Sequence, residues 1–306
     1  MVERMDVEFK ADAGVLLRGW LYLPDGPGPH PAITMAHGYA GVKDHGLEPF
    51  ARKFAEHGFV VLLHDHRGFG ASEGTPRQDV DPWQQIADWR RAISYLESRS
   101  EVDADRIGLW GTSYAGGHAI VLGATDRRLR AVVSQVPTIS GYEQGLRRIA
   151  PEAVAALEEA FNEDERAQAG GEAPRFQTIV SAGPAVAASY RTQEAIDFYL
   201  QPVPDGVWEN HVTVRSTRAA RMYEPGTWIT RVSPTPLLMV VALGDTVTVT
   251  DLALGAYERA LEPKRLQLIS GGHFAPYIVE FEQSISAALA WFQEHLTGTG
   301  GEQSRP

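Results

Sequence analysis

From Asp6 to Pro24 apolar and polar side chains alternate with period two, interrupted at Ala11-Asp12-Ala13-Gly14. Two faces of unlike polarity at that period predict two strands, joined as an antiparallel hairpin at a sheet edge. Beyond the turn Asp25-Gly26-Pro27-Gly28-Pro29, the run Pro31–Ala36 is apolar but for one threonine, which suits a buried strand. A helix over Pro49–His57 and a strand over Phe59–His64 follow. Asp81-Pro82 then supplies a capping side chain and a proline with no N–H to lose, opening a helix that runs to about Ser98. The next strand begins at Arg106, a helix starts at Tyr114, and Leu129–Val136 is again apolar. Strands alternating with helices at this spacing imply a parallel sheet covered on both faces.

From Ser140 that rhythm stops. Residues 141–230 hold helical stretches at Glu152–Glu165 and Thr192–Leu200, with no buried strand, and are broken by Gly170-Gly171, Pro184, Pro202 to Gly206 and Pro225-Gly226. Alternation then resumes with a strand over Leu237–Leu243, a helix over Thr250–Leu261, a strand over Lys264–Ser270 and a helix over Val279–Leu296. Ile285, Ala288, Leu289, Phe292 and Leu296 fall on one face of that last helix. The expected architecture is one α/β domain (1–140 and 231–297) with a helical lid inserted at 141–230 and a disordered tail over 298–306.

The chemistry is expected where the central strand meets its helix. In Arg106-Ile107-Gly108-Leu109-Trp110-Gly111-Thr112-Ser113-Tyr114-Ala115-Gly116-Gly117 an apolar run gives way to small residues around one serine. A strand that turns abruptly into a helix at a serine strains the backbone and pushes the hydroxyl outward, and small neighbours avoid a collision in the turn. This is the nucleophile-elbow pattern G-x-S-x-G with Ala115 in the last place. A serine capping an ordinary helix fits this stretch equally well, so the rest of the chain must decide.

A serine hydroxyl needs a base, and the base needs an orienting carboxylate. On such a sheet the chain order is Ser, then Asp or Glu, then His, each just after a strand. Asp245 follows Gly244 after the strand ending at Leu243, and His273 follows Gly271-Gly272 after the strand ending at Ser270. Asp251 is the fallback acid, although it suits a helix cap. For an oxyanion the expected donors are the Tyr114 N–H, at the positive end of its helix, and the Tyr39 N–H in His37-Gly38-Tyr39-Ala40-Gly41, with the Tyr39 hydroxyl as the alternative.

Composition removes several competing classes. A net charge of -11 and a pI near 5.4 leave no basic stripe for phosphates, so no nucleic-acid partner is expected. The chain of 306 residues has no cysteine, which excludes disulfides, thiolate metal sites and a thiol nucleophile. Its first residues are too charged for a signal peptide and no apolar run reaches membrane-spanning length, so a soluble cytoplasmic location is expected, without a membrane partner. His64 and His66 flank Asp65 without a third ligand at useful spacing, so no metal is expected. Gly68-x-Gly70 lacks the third glycine and the helix start of a dinucleotide site. No cofactor is expected.

Taken together, these motifs resemble the serine α/β-hydrolases of the dienelactone-hydrolase-like and X-Pro dipeptidyl-peptidase-like branch. The resemblance rests on the elbow, on His37-Gly38, on Asp65-His66-Arg67-Gly68-Phe69-Gly70-Ala71-Ser72, on Val102 to Ile107, on Gly271-Gly272-His273 and on Trp291-Phe292. Dienelactone hydrolases proper use cysteine, which this chain lacks. The resemblance implies an acyl-serine enzyme acting on a small-molecule ester, thioester or lactone, with acyl transfer, peptidase action and a non-catalytic ligand-binding role as alternatives. A homo-oligomer is left open. Among the lid aromatics, Phe198, Tyr199 and Trp208 are the candidates for an apolar substrate wall. Arg215, Arg218 and Arg221 lie at helical spacing and read as a solvated face, with a carboxylate site as the minority reading.

Overall fold

The computed structural model describes residues 2–183 and 188–298. Strands β1 (Glu3–Lys10) and β2 (Leu16–Leu23) form the expected hairpin, Glu3 opposite Leu23 and Lys10 opposite Leu16. They are followed by β3 (His30–Ala36), α1 (Glu48–Glu56), β4 (Val60–His64), α2 (Pro82–Glu97), β5 (Val102–Thr112), α3 (Tyr114–Thr125) and β6 (Leu129–Gln135). The inserted segment contributes α4 (Gly141–Arg148), α5 (Pro151–Ala169), β7 (Phe176–Val180), β8 (Ala188–Tyr190), α6 (Gln193–Tyr199), β9 (His211–Thr213) and α7 (Val214–Met222). The chain closes with β10 (Leu237–Ala242), α8 (Thr250–Arg259), β11 (Lys264–Ile269) and α9 (Phe281–Phe292).

The main sheet has the order β1-β2-β4-β3-β5-β6-β10-β11. Only the pairs made by β2 are antiparallel, and every other neighbouring pair is parallel. Adjacent residues of β5 serve opposite faces, as the period of a strand demands. Leu109 joins the core that includes Trp89, Ile93 and Ile120 of α2 and α3, and Trp110 joins the one that includes Phe50, Phe54 and Phe292 of α1 and α9. All of these side chains are fully buried. Truncating one such aromatic costs about 3–5 kcal/mol, from lost transfer energy and the cavity left behind. The start of α2 is built as its sequence suggests: the Asp81 carboxylate accepts the N–H groups of Trp83 (2.9 Å) and Gln84 (3.1 Å), and Pro82 takes the first helical position.

Two expectations need correction. The segment 141–230 is not purely helical: β7, β8 and β9 make a second sheet in the order β8-β7-β9. Strands of five, three and three residues are too short to establish a period. Asp251 does not cap α8 either, since Val249 holds the cap position and makes no side-chain cap bond. The tail expected to be disordered lies outside the described residues apart from Gly298. No helix among the described residues is long and apolar enough to cross a membrane.

Candidate active site

Ser113 sits between the last residue of β5 and the first of α3 with φ 57 and ψ -119. Such a backbone costs about 1–3 kcal/mol in a non-glycine residue and persists only where neighbours hold it. Here the Ser113 N–H donates to the Gln135 carbonyl at 2.8 Å, and the Ser113 carbonyl accepts from Gly116 (3.0 Å) and Thr138 (2.9 Å). Gly111 is required because a Cβ there would run into the Ala115 carbonyl oxygen. Ala115 itself is fully buried in the turn, so a methyl group is accommodated where the motif usually has glycine.

Three residues that lie far apart in the chain meet at the carboxyl ends of parallel strands. His273, beyond β11, places Nε2 at 2.9 Å from Ser113 Oγ and Nδ1 at 2.8 Å from Asp245 Oδ2. Asp245, beyond β10, is held in turn: Oδ1 accepts the N–H groups of Val247 (2.8 Å) and Thr248 (2.9 Å), and Oδ2 accepts the Thr248 hydroxyl at 2.7 Å. Burial alone would raise the pKa of Asp245. The charge and hydrogen bond of His273, with the bonds from Thr248, outweigh burial and hold it at about 2. Asp251 is exposed and pairs with Arg147 at 2.5 Å, away from this line. Thr248 was not singled out in the sequence, though its place three residues after an aspartate in a turn is a signal for such a bond.

The turn after β3 lies directly against the serine. A Cβ on Gly38 would stand 2.9 Å from Ser113 Cβ, so only glycine lets the backbone approach this closely. The carbonyls that follow are drawn away from the serine. That of Tyr39 accepts the Tyr199 hydroxyl at 2.7 Å, and that of Ala40 accepts Trp208 Nε1 at 2.8 Å. Among the described residues the N–H groups of Tyr39 and Tyr114 have no hydrogen-bond acceptor. The Tyr39 hydroxyl contacts Thr217 Oγ1 at 3.3 Å, which leaves the backbone N–H as the freer donor.

Two spaces open at Ser113. A cavity of about 370 Å³ is bounded by Tyr39, Tyr114, Tyr190, Leu157, Arg148 and Arg221, among others. A recess of about 20 Å³ is bounded by His273, Phe198, Tyr199, Phe274 and Tyr277. The three aromatics expected to form an acyl wall are therefore placed differently. Phe198 and Tyr199 border the small recess, Trp208 borders neither space, and Tyr199 and Trp208 hold the turn after β3. The larger cavity is walled from α4, α5, β7, β8 and α7. Of its inserted-segment residues only Tyr190, as one of the lid aromatics, and Arg221 stand out in the sequence, because scattered single positions leave no pattern.

Beneath the site, the His66 ring lies in edge contact with the rings of His37, His64 and His118 at centroid distances of 4.6–5.7 Å. Burial, and secondarily the proximity of His37, lowers the pKa of His64 and His118 to about 3, so both are neutral core rings. Among the described residues no group of three or more His, Cys, Asp or Glu could hold a metal.

Comparison with known proteins places the chain in a family. The quorum-quenching protein AidA of Acinetobacter baumannii is 31% identical, over 92% of this chain and 91% of its own. The thiohydrolase aneE of Aspergillus aculeatus is 30% identical over 96% and 94%. The polyketide transferase grgF of a Penicillium species is 29% identical over 96% and 97%. The crystal structure of the alpha/beta hydrolase GrgF from Penicillium sp. sh18 aligns with a TM-score of 0.84, covering 97% of this chain and 100% of that one. The family model of the X-Pro dipeptidyl-peptidases (S15 family) matches residues 13–275. On that match and on its fold, the chain belongs to the S15 family of α/β hydrolases.

Proposed function

We propose that this chain is a serine hydrolase that cleaves a small-molecule carboxylic ester or thioester through an acyl-Ser113 intermediate. The observation that carries the reading is the unbroken hydrogen-bonded line from Ser113 through His273 to Asp245, beside two N–H groups without acceptors among the described residues. His273 Nε2 takes the Ser113 proton as Oγ attacks the acyl carbon, and the N–H groups of Tyr39 and Tyr114 hold the oxyanion. His273 then gives that proton to the departing oxygen or sulfur. Water attacks the acyl-enzyme, yields its proton to His273, and Ser113 regains a proton as the acid leaves. Asp245 fixes the imidazole tautomer and stabilises the imidazolium.

The attacking water must come within hydrogen-bond reach of Nε2, and the recess beside His273 is where it can do so. The larger cavity at Ser113 then receives the acyl group. At about 20 Å³ the recess has room for one water, which needs roughly 10–15 Å³ on the same measure. That supports water over a bulky acceptor. The relatives named polyketide transferases favour acyl transfer as the second reading. Release of an amino-terminal dipeptide calls for a carboxylate to bind the free ammonium. Among the described residues the cavity has no Asp or Glu on its wall, which argues against peptidase action.

The two acyl-enzyme outcomes separate in ¹⁸O-labelled water with an added alcohol or amine acceptor. Hydrolysis predicts an acid carrying one ¹⁸O as the main product from ester and thioester alike. A predominant acceptor adduct would favour the transferase.

A further inference from the structure

We infer that the acyl cavity recognises a carboxylate carried on the acyl chain, through Arg221 with Arg148 beside it. The inference rests on the hydrolase reading above, because that reading makes this space the acyl site. Both arginines lie at the carboxyl-terminal ends of their helices, α4 and α7, and both line the cavity that reaches Ser113. The molecule as a whole carries a net charge of -11. Among the described residues, however, no Asp or Glu lines this cavity.

The other cationic side chains of the inserted segment show what ordinary surface arginines do here. Arg147 pairs with Asp251 (2.5 Å), Arg166 with Glu159 (2.5 Å), Arg215 with Asp79 (2.7 Å) and Arg218 with Glu165. Arg191 donates to the Gly183 carbonyl. Arg221 differs. Its side chain is only 14% exposed, and the nearest carboxylate, the half-exposed Glu158, lies 4.0 Å from Nη2. Its Nη1 is buried with no hydrogen-bond partner among the described residues. A half-exposed pair at that distance contributes little, so the guanidinium at this wall has no close-matched carboxylate among the described residues.

The fold makes room for this cation. A Cβ on Gly145 would come within 2.8 Å of Arg221 Nη1, so α4 admits the guanidinium by having no side chain there. Arg148 lies over the Tyr190 ring, with Cζ at 5.6 Å from its centroid. Gln144, Gln177 and Ser189 add polar groups to the same wall. A guanidinium presents paired N–H groups that match the two oxygens of a carboxylate. A chain with an apolar body and an anionic end therefore fits this wall better than a plain alkyl chain. Of the three arginines that invited a carboxylate reading in the sequence, two are paired on the surface and the third is the one that faces the cavity.

The test compares two aryl esters with the same acyl chain, one ending in a carboxylate and the other in the corresponding methyl ester. Wild type should prefer the carboxylate in kcat/KM. Arg221→Gln should shrink that preference by about 10- to 100-fold, the worth of a charge-assisted hydrogen bond, acting mainly through KM. Arg148→Gln should shrink it less, and Arg221→Lys should restore part of it. Fluorophosphonate labelling of Ser113 in each variant reports an intact site. A wild type that labels at Ser113 but shows no preference overturns the anion site and leaves the hydrolase reading standing. So does an Arg221→Gln variant that lowers both substrates in parallel, since that is the signature of a packing role. Failure of wild type to label at Ser113 overturns both.

Discussion

Asp245 is 5% exposed, yet it is held charged by His273 and by the turn that follows it. Its pKa in the folded protein, about 2, lies below the ordinary 3.8. The stability it contributes is therefore fully present above about pH 3.8 and is lost as pH falls through about 2. Asp245→Asn should lower kcat on the order of 10⁴-fold, because the imidazole then favours the wrong tautomer. Asp251→Asn breaks only an exposed pair with Arg147 and should change kcat by less than about twofold, as such pairs contribute little. Steady-state rates across pH on the two variants decide it, and the reverse ranking would move the acid to Asp251. Order in the chain was enough to name Ser113, Asp245 and His273, because each follows a strand whose apolar run is plain. It could not reveal Thr248, whose hydroxyl matters only because the turn folds back onto Asp245.

The elements around the turn after β3 explain why the aromatic candidates moved. Trp208 Nε1 and the Tyr199 hydroxyl bind the carbonyls of Ala40 and Tyr39, so both side chains hold the turn that carries the Tyr39 N–H rather than set the width of the acyl cavity. Trp208→Phe keeps the ring and removes one donor. It should lower kcat about three- to tenfold, the value of a single neutral hydrogen bond, with KM little changed. Its acyl-length preference should match wild type, whereas Leu157→Phe, which fills the larger cavity, should shift that preference to shorter chains. A kcat/KM series over esters of increasing length tests both, and a shifted profile for Trp208→Phe would return that residue to the acyl wall. At this scale the sheet was legible in the sequence and the insertion was not. Parallel strands buried on both faces announce themselves as apolar runs, such as Leu237–Leu243. The β-type run Phe176–Val180 was a signal that could have been used, but three-residue partners such as β8 and β9 have no period to read.

Across the whole molecule, the sheet and the insertion divide the work. Ser113, Asp245, His273 and Gly38 all stand at the carboxyl ends of parallel strands, where open α/β sheets place their ligands. The inserted segment supplies most of the wall of the 370 Å³ cavity, and with it Arg148 and Arg221. Chemistry is thus set by elements whose pattern the sequence displays. Selectivity is set by single side chains that only the folded chain brings together. The central claim is the covalent one, and the most direct measurement is the mass of the protein quenched in acid during turnover of an aryl ester. An adduct of the acyl mass is expected on the peptide containing Ser113, absent from a folded Ser113→Ala variant that also fails to turn over. An adduct on another residue, or turnover retained by Ser113→Ala, would contradict it.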